Sequence, residues 1–180
     1  DKQVIELVCD KIKSYIKLIK PKNNVFIAFD GVAPFAKMNQ QKNRRYKTYY
    51  ETNILKKMGV SKERNFDTVA ITPGTQFMSK LSKSIKEEFN DSKKFKLKKL
   101  IVSTSEEKGE WEHKLYQYIR NHKEEHINTT TVVYGLDADL IMLTLNHLHI
   151  CSSMYLFRET PYFIKSIDNT LNYIYVNDLM

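Results

Sequence analysis

Short apolar runs that alternate with stretches of helical period constrain this chain more than any other feature. Val4, Val8, Ile12, Tyr15 and Ile19 recur at helical spacing with Lys in the gaps, which predicts an amphipathic helix over residues 2–20. Pro21 through Asn24 break it. Val25-Phe26-Ile27-Ala28-Phe29 reads as a buried strand with Asp30-Gly31 at its end. A helical pattern then runs from Phe35 to Met58, and Gly59 closes it. Thr72-Pro73-Gly74 opens a further helix, in which Phe77, Leu81, Ile85 and Phe89 fall four apart and form one buried stripe. Residues 90–99 read as a Lys-rich surface loop, and Leu100-Ile101-Val102 as a second strand. A helix is expected from about Glu110 to His122. Thr131–Tyr134 follows as a third strand ending in Gly135-Leu136-Asp137, then a helix through Leu145 and a fourth strand at Met154–Phe157. This alternation predicts an α/β fold with a mostly parallel central sheet flanked by helices. In such sheets, sites gather at the carboxyl ends of the strands.

The chain has 180 residues, the size of one domain or a part of one. With 42% hydrophobic residues it can build a core, while a mean hydropathy of −0.49 and the lack of a long uncharged apolar run predict no transmembrane helix and no membrane partner. The opening Asp1-Lys2-Gln3 does not read as a signal peptide, and it has no initiator Met, so the natural start is expected elsewhere. Cys9 and Cys151 form no disulfide framework, which favours an intracellular setting, cytoplasmic or nuclear. The net charge of +8 favours a polyanionic partner. The heavy use of Lys, Asn, Ile and Tyr is also what an AT-rich genome produces, so residue position has to carry the case.

Asp30, Glu110, Glu112, Asp137 and Asp139 are the acids of interest. Glu110 and Glu112 form an E-x-E pair and Asp137 and Asp139 a D-x-D pair, each after a predicted strand and at a helix start. For either pair alone, helix capping is as good an account as metal binding. Taken together, acids gathered at one sheet edge repel one another and need a cation. Oxygen donors without Cys or His suit Mg²⁺ or Mn²⁺. Two such ions can activate water and stabilise the leaving oxygen of a phosphodiester. In the helix that follows Asp30, Lys37, Gln41, Arg44 and Arg45 share one broad face. An arbitrary basic helix face is usually just solvated. Its start beside Asp30 favours a role in holding phosphate. His147, His149 and Cys151 lack a fourth partner for a structural zinc site and read as ordinary helix-end and loop residues. His113 reads as structural, and the spacing of Tyr49, Tyr50 and Phe77 assigns them to core packing before base stacking.

These segments resemble the XRN family of 5′→3′ exoribonucleases. The resemblance rests on Asp30-Gly31-Val32-Ala33-Pro34, Ala36-Lys37-Met38-Asn39-Gln40-Gln41 and Arg44-Arg45. It continues through Ile71-Thr72-Pro73-Gly74-Thr75 with Phe77-Met78, Gly109-Glu110 with Glu112-His113-Lys114, and the run from Tyr134 to Leu143. It spans residues 25 to about 160 in the family's order. It implies a PIN/5′-nuclease-like core and stepwise hydrolysis of single-stranded RNA from 5′-monophosphate ends, with two Mg²⁺ or Mn²⁺ ions as cofactors. By the same resemblance, Asp30, Glu110, Glu112, Asp137 and Asp139 match the family's metal-binding, catalytic acids. Lys37, Gln41, Arg44 and Arg45 match its pocket for the substrate's 5′-phosphate. Against the family pattern, residues 1–180 read as part of a single nuclease domain without its first core strand and its C-terminal portion, so this stretch alone is expected to be inactive or nearly so. Trp111 stands where the family usually has Gly, and Phe35 where it often has a basic residue. Two other readings compete. One is a structure-specific 5′ nuclease acting on DNA, whose sequence signatures are not seen here. The other is a catalytically silent RNA-binding subunit, against which the retention of all five acids argues.

Overall fold

The computed structural model describes residues 1–60, 66–159 and 171–175. It divides at Trp111 into two compact units, Asp1–Trp111 and Glu112–Met180. The chain is α/β, with short parallel strand pairs among helices.

In the first unit, helix α1 (Lys2–Ile19) leads into strand β1 (Asn24–Ala28). Helix α2 (Phe35–Lys57), helix α3 (Gln76–Glu88) and strand β2 (Lys99–Ser103) follow. Strand β1 pairs in parallel with β2, from Asn24 opposite Lys99 to Ala28 opposite Ser103. The apolar faces of α1 and α3 supply most of the core: Ile5, Cys9, Phe77, Met78, Leu81, Ile85 and Phe89 bury together with Ile27 of the sheet. The stripe expected at Phe77, Leu81, Ile85 and Phe89 is buried throughout. Helix α3 begins just after the predicted opening at Thr72-Pro73-Gly74 and is capped by Thr75, whose hydroxyl accepts from the Met78 amide.

Residues 90–99 are more ordered than a plain surface loop. A single helical turn at Lys93–Phe95 stacks Phe95 on Phe89, Leu97 is buried, and Lys99 already belongs to β2. Two apolar side chains within the Lys-rich stretch were enough to draw it onto the core.

Helix α2 has the extent the pattern predicts, yet none of its residues is buried. Tyr49 and Tyr50 are 63% and 64% exposed, so the core packing expected of them is not found, whereas Phe77 meets it at 5%. The helical spacing was real, but α2 carries no continuous apolar face and is composed mainly of strong helix formers such as Lys, Arg, Gln and Ala.

The second unit contains helix α4 from Glu112 onward (α4 spans Trp111–Asn121), strand β3 (Thr130–Tyr134), helix α5 (Asp139–Leu145), and strands β4 (Ser153–Glu159) and β5 (Leu171–Tyr175). Strand β3 pairs in parallel with β4, and β4 pairs antiparallel with β5. The parallel ladder is thus split between two sheets, and the antiparallel β5 lies beyond the last strand legible in the sequence. Tyr116, Ile119, Leu140, Met154, Leu156 and Phe157 are the largest apolar side chains buried here.

Candidate active site

Backbone bonds hold the first unit's acids. Beyond β1, the Phe29 amide donates to the Ser103 carbonyl at 2.9 Å and extends the ladder by one residue. The chain then turns at Asp30-Gly31 and is clasped to the segment that follows β2. The Gly31 amide donates to the Gly109 carbonyl at 2.8 Å, and the Gly109 amide returns a bond to the Val32 carbonyl at 3.1 Å. A Cβ at Gly31 would overlap the Glu107 carbonyl, so only glycine permits this approach. Gly109 has φ 100, a conformation that side-chain-bearing residues rarely adopt.

Asp30 and Glu110 therefore sit on adjoining turns. The Trp111 amide, at the first position of α4, donates to Asp30 Oδ1 at 2.9 Å, so a carboxylate from a different strand satisfies one of that helix's free amides. Glu110 pairs with Lys37 from the first turn of α2 at 3.0 Å. The pair is asymmetric: the Glu110 side chain is 13% exposed and that of Lys37 44%.

A polar cluster that the sequence does not mark as buried anchors the loop beneath. Ser103, Thr104 and Ser105 are all buried. The Ser103 hydroxyl donates to Glu107 Oε2 at 2.6 Å, and the Ser105 and Ser82 hydroxyls bond at 2.9 Å. The available signal was a run of hydroxyl residues directly after a strand, where a buried loop needs partners for its polar groups.

Along α2, Lys37, Gln41, Arg44 and Arg45 occupy successive turns. Arg45 donates from Nε to the Gln41 carbonyl at 3.3 Å, and Arg44 is exposed.

The second unit holds Glu112, Asp137 and Asp139. Glu112 lies half-buried in the first turn of α4. Beyond β3, the Gly135 amide extends the ladder to the Phe157 carbonyl, and Asp137 and Asp139 follow on an exposed turn. Asp139 opens α5, whose cap residue is Ala138 with no side-chain cap bond, so the capping account of the D-x-D pair has no bond to support it. The amide of Leu140 instead reaches the backbone carbonyl of Asp137. The structure thus brings Asp30 together with Glu110, and Asp137 together with Asp139. Among the described residues, no three His, Cys, Asp or Glu side chains stand close enough to hold a metal ion.

His147 is buried, and its Nδ1 and Nε2 meet the Leu143 carbonyl at 2.7 Å and Arg120 Nη1 at 2.9 Å. Cys151 is buried and His113 is exposed. Burial pushes the Tyr116 hydroxyl up to about 12, against the pull of its bond to Thr144. Two concave regions of the first unit, of about 480 and 690 Å³, are lined by residues of α1 and α3 together with Asp1, Asn90 and Glu106, and by none of the five candidate acids.

In each unit acids follow the carboxyl end of a parallel strand, and in the first a basic helix rises just after them, the layout of an α/β protein with its candidate site at strand ends. Comparison with known proteins gives the family. Residues 1–160 match the family model described as the XRN 5′-3′ exonuclease N-terminus, and the chain belongs to that family of nucleases. It is 38% identical over 159 residues to 5′-3′ exoribonuclease 1 of Saccharomyces cerevisiae, covering 81% of this chain and 10% of that protein. To the Homo sapiens 5′-3′ exoribonuclease 1 it is 37% identical over 158 residues, covering 81% and 9%. To 5′-3′ exoribonuclease 2 of Schizosaccharomyces pombe it is 38% identical over 154 residues, covering 72% and 16%. The chain thus spans between 9% and 16% of the length of these relatives. Among the described residues no helix is long and apolar enough to cross a membrane.

Proposed function

We propose that this chain forms part of the nuclease core of an intracellular 5′→3′ exoribonuclease that hydrolyses single-stranded RNA stepwise from 5′-monophosphate ends. The observation that carries this reading is the junction of the acidic and basic sets: Glu110, set beside Asp30 by the glycine clasp, holds Lys37 of the basic helix at 3.0 Å. Relatives at 37–38% identity bear the name 5′-3′ exoribonuclease.

The donor set suits a hard divalent cation. Asp30 and Glu110 offer only oxygen ligands, and the largely buried Glu110 carboxylate already draws a cation in the form of the Lys37 ammonium. In this proposal Asp30, Glu110, Glu112, Asp137 and Asp139 hold two Mg²⁺ or Mn²⁺ ions, which when bound supply an activated water and charge stabilisation for the leaving 3′-oxygen. Lys37, Gln41, Arg44 and Arg45 take the 5′-phosphate: guanidinium groups form paired bonds to its oxygens and lysine adds a point charge. A terminal monophosphate carries more charge than an internal diester, which is why clustered donors favour the end.

The test uses a full-length protein that contains this chain, at fixed ionic strength. Asp137→Asn or Asp139→Asn should abolish Mg²⁺-dependent cleavage while RNA binding survives. Arg45→Ala should slow decay of 5′-monophosphate RNA by roughly tenfold or more, the equivalent of one charge-assisted hydrogen bond, and leave 5′-hydroxyl RNA almost unchanged. Unaltered turnover in both Asp variants would remove the metal assignment. Equal losses on the two RNA ends would remove the end pocket. Cleavage of matched DNA in preference to RNA would favour the structure-specific nuclease instead.

A further inference from the structure

Lys37 faces two demands. The proposed function gives its ammonium to phosphate, yet in the structure it is bound to an acid. The two partners are not equally fixed. Glu110 sits on the clasped turn, withdrawn from water, and a carboxylate so placed requires a cation. Lys37 reaches it from a helix that buries none of its residues, on a long side chain that is nearly half exposed. The ammonium can therefore depart without disturbing the core, and the largely buried Glu110 carboxylate it leaves favours another cation in its place. Asp30 beside it is held on one oxygen by a neutral peptide N–H. The two turns thus present two carboxylates and one exchangeable cation.

We propose that Lys37 is a place-holder for the divalent cation at Asp30 and Glu110. Uptake of the divalent cation displaces the ammonium from Glu110, and the displaced ammonium becomes available to the substrate phosphate. This rests on the nuclease reading above and adds an order of events to it: the phosphate-binding charge is released only when the acids are loaded. Two consequences follow from linkage. Lys37 opposes metal binding in the free protein, and metal strengthens phosphate binding through Lys37.

The experiment uses a full-length protein that contains this chain and measures Mn²⁺ binding by electron paramagnetic resonance, with no turnover involved. Lys37→Met removes the competing charge and keeps the side-chain length; Lys37→Gln repeats the test should the Met variant fold poorly. Glu110→Gln removes the shared partner. Both Lys37 variants should bind Mn²⁺ roughly fivefold more tightly or better than the unaltered chain, and Glu110→Gln should lose that binding. Mn²⁺ binding that depends on Glu110 but is unchanged or weaker in both Lys37 variants overturns the place-holder and leaves the nuclease reading standing. An absence of any Glu110-dependent Mn²⁺ binding overturns both.

Discussion

Single atoms decide much of this molecule. Gly31 is required because a methyl group there would occupy the place of a peptide carbonyl, and the sequence alone could not reveal it: Asp-Gly reads as a turn without naming what the turn is pressed against. His147 shows a second kind of atomic constraint. The Arg120 guanidinium can only donate and the Leu143 carbonyl can only accept, so the ring between them must be neutral, with its proton on Nδ1. Burial, with Arg120 and His149 nearby, holds its pKa below the usual histidine value. His126 is lowered as well, again chiefly by burial. A histidine lowered in the folded state contributes stability fully above its unfolded pKa, and that contribution is lost as pH falls through the folded value. The thermal midpoint should therefore decline between about pH 7 and about pH 5, and His147→Gln, which can still accept from Arg120, should decline less. Superimposable pH profiles for the two proteins would show that the neutral ring is not what stabilises this corner.

At the scale of elements, two helices of similar legibility turn out to be opposites. Both α2 and α3 were readable from residue spacing, but only α3 repeats large apolar residues every fourth position without interruption, so only α3 packs. In α2, Tyr46, Tyr49 and Tyr50 lie a turn apart on one side, but Lys42 interrupts that stripe one turn earlier and all three rings are exposed; Tyr49 and Tyr50 meet edge to face at 5.8 Å. A mutational pair should separate the cases. Ile85→Ala empties a site with no exposure and should cost about 2–5 kcal/mol. Tyr50→Ser on the exposed helix should stay within about 0.5 kcal/mol. Chemical denaturation of both variants measures this, and a large loss for Tyr50→Ser would mean that α2 has a packing partner. The site shows the same mixture of legible and hidden. Strand ends followed by acids are visible because a short apolar run gives way there to a helical period. The buried hydroxyls of Ser82, Ser103 and Ser105 are not, because polar residues carry no burial signal of their own.

For the molecule as a whole, the net charge of +8 makes attraction to RNA almost unavoidable and therefore uninformative by itself. What distinguishes end recognition is how it responds to salt. Raising ionic strength from about 50 to about 200 mM should weaken binding of all RNA by orders of magnitude through counterion release. The ratio of affinities for 5′-monophosphate and 5′-hydroxyl RNA should change far less, since it depends on short-range bonds. Competition binding with the two RNAs in a full-length protein measures that ratio; a ratio that collapses towards one along with the affinity would reduce the basic helix to a general attractor. The chain spans between 9% and 16% of the length of the relatives it matches, which is why these affinities are to be measured in a full-length protein.

The bond between Asp30 and position 111 has a wider consequence. The donor is a peptide N–H, a group that every amino acid except proline supplies in the same place. The side chain at position 111, Trp in this chain, can thus change without altering the support beneath Asp30. That support joins a side-chain acceptor to a backbone donor, so a substitution at position 111 that looks drastic on paper leaves it untouched.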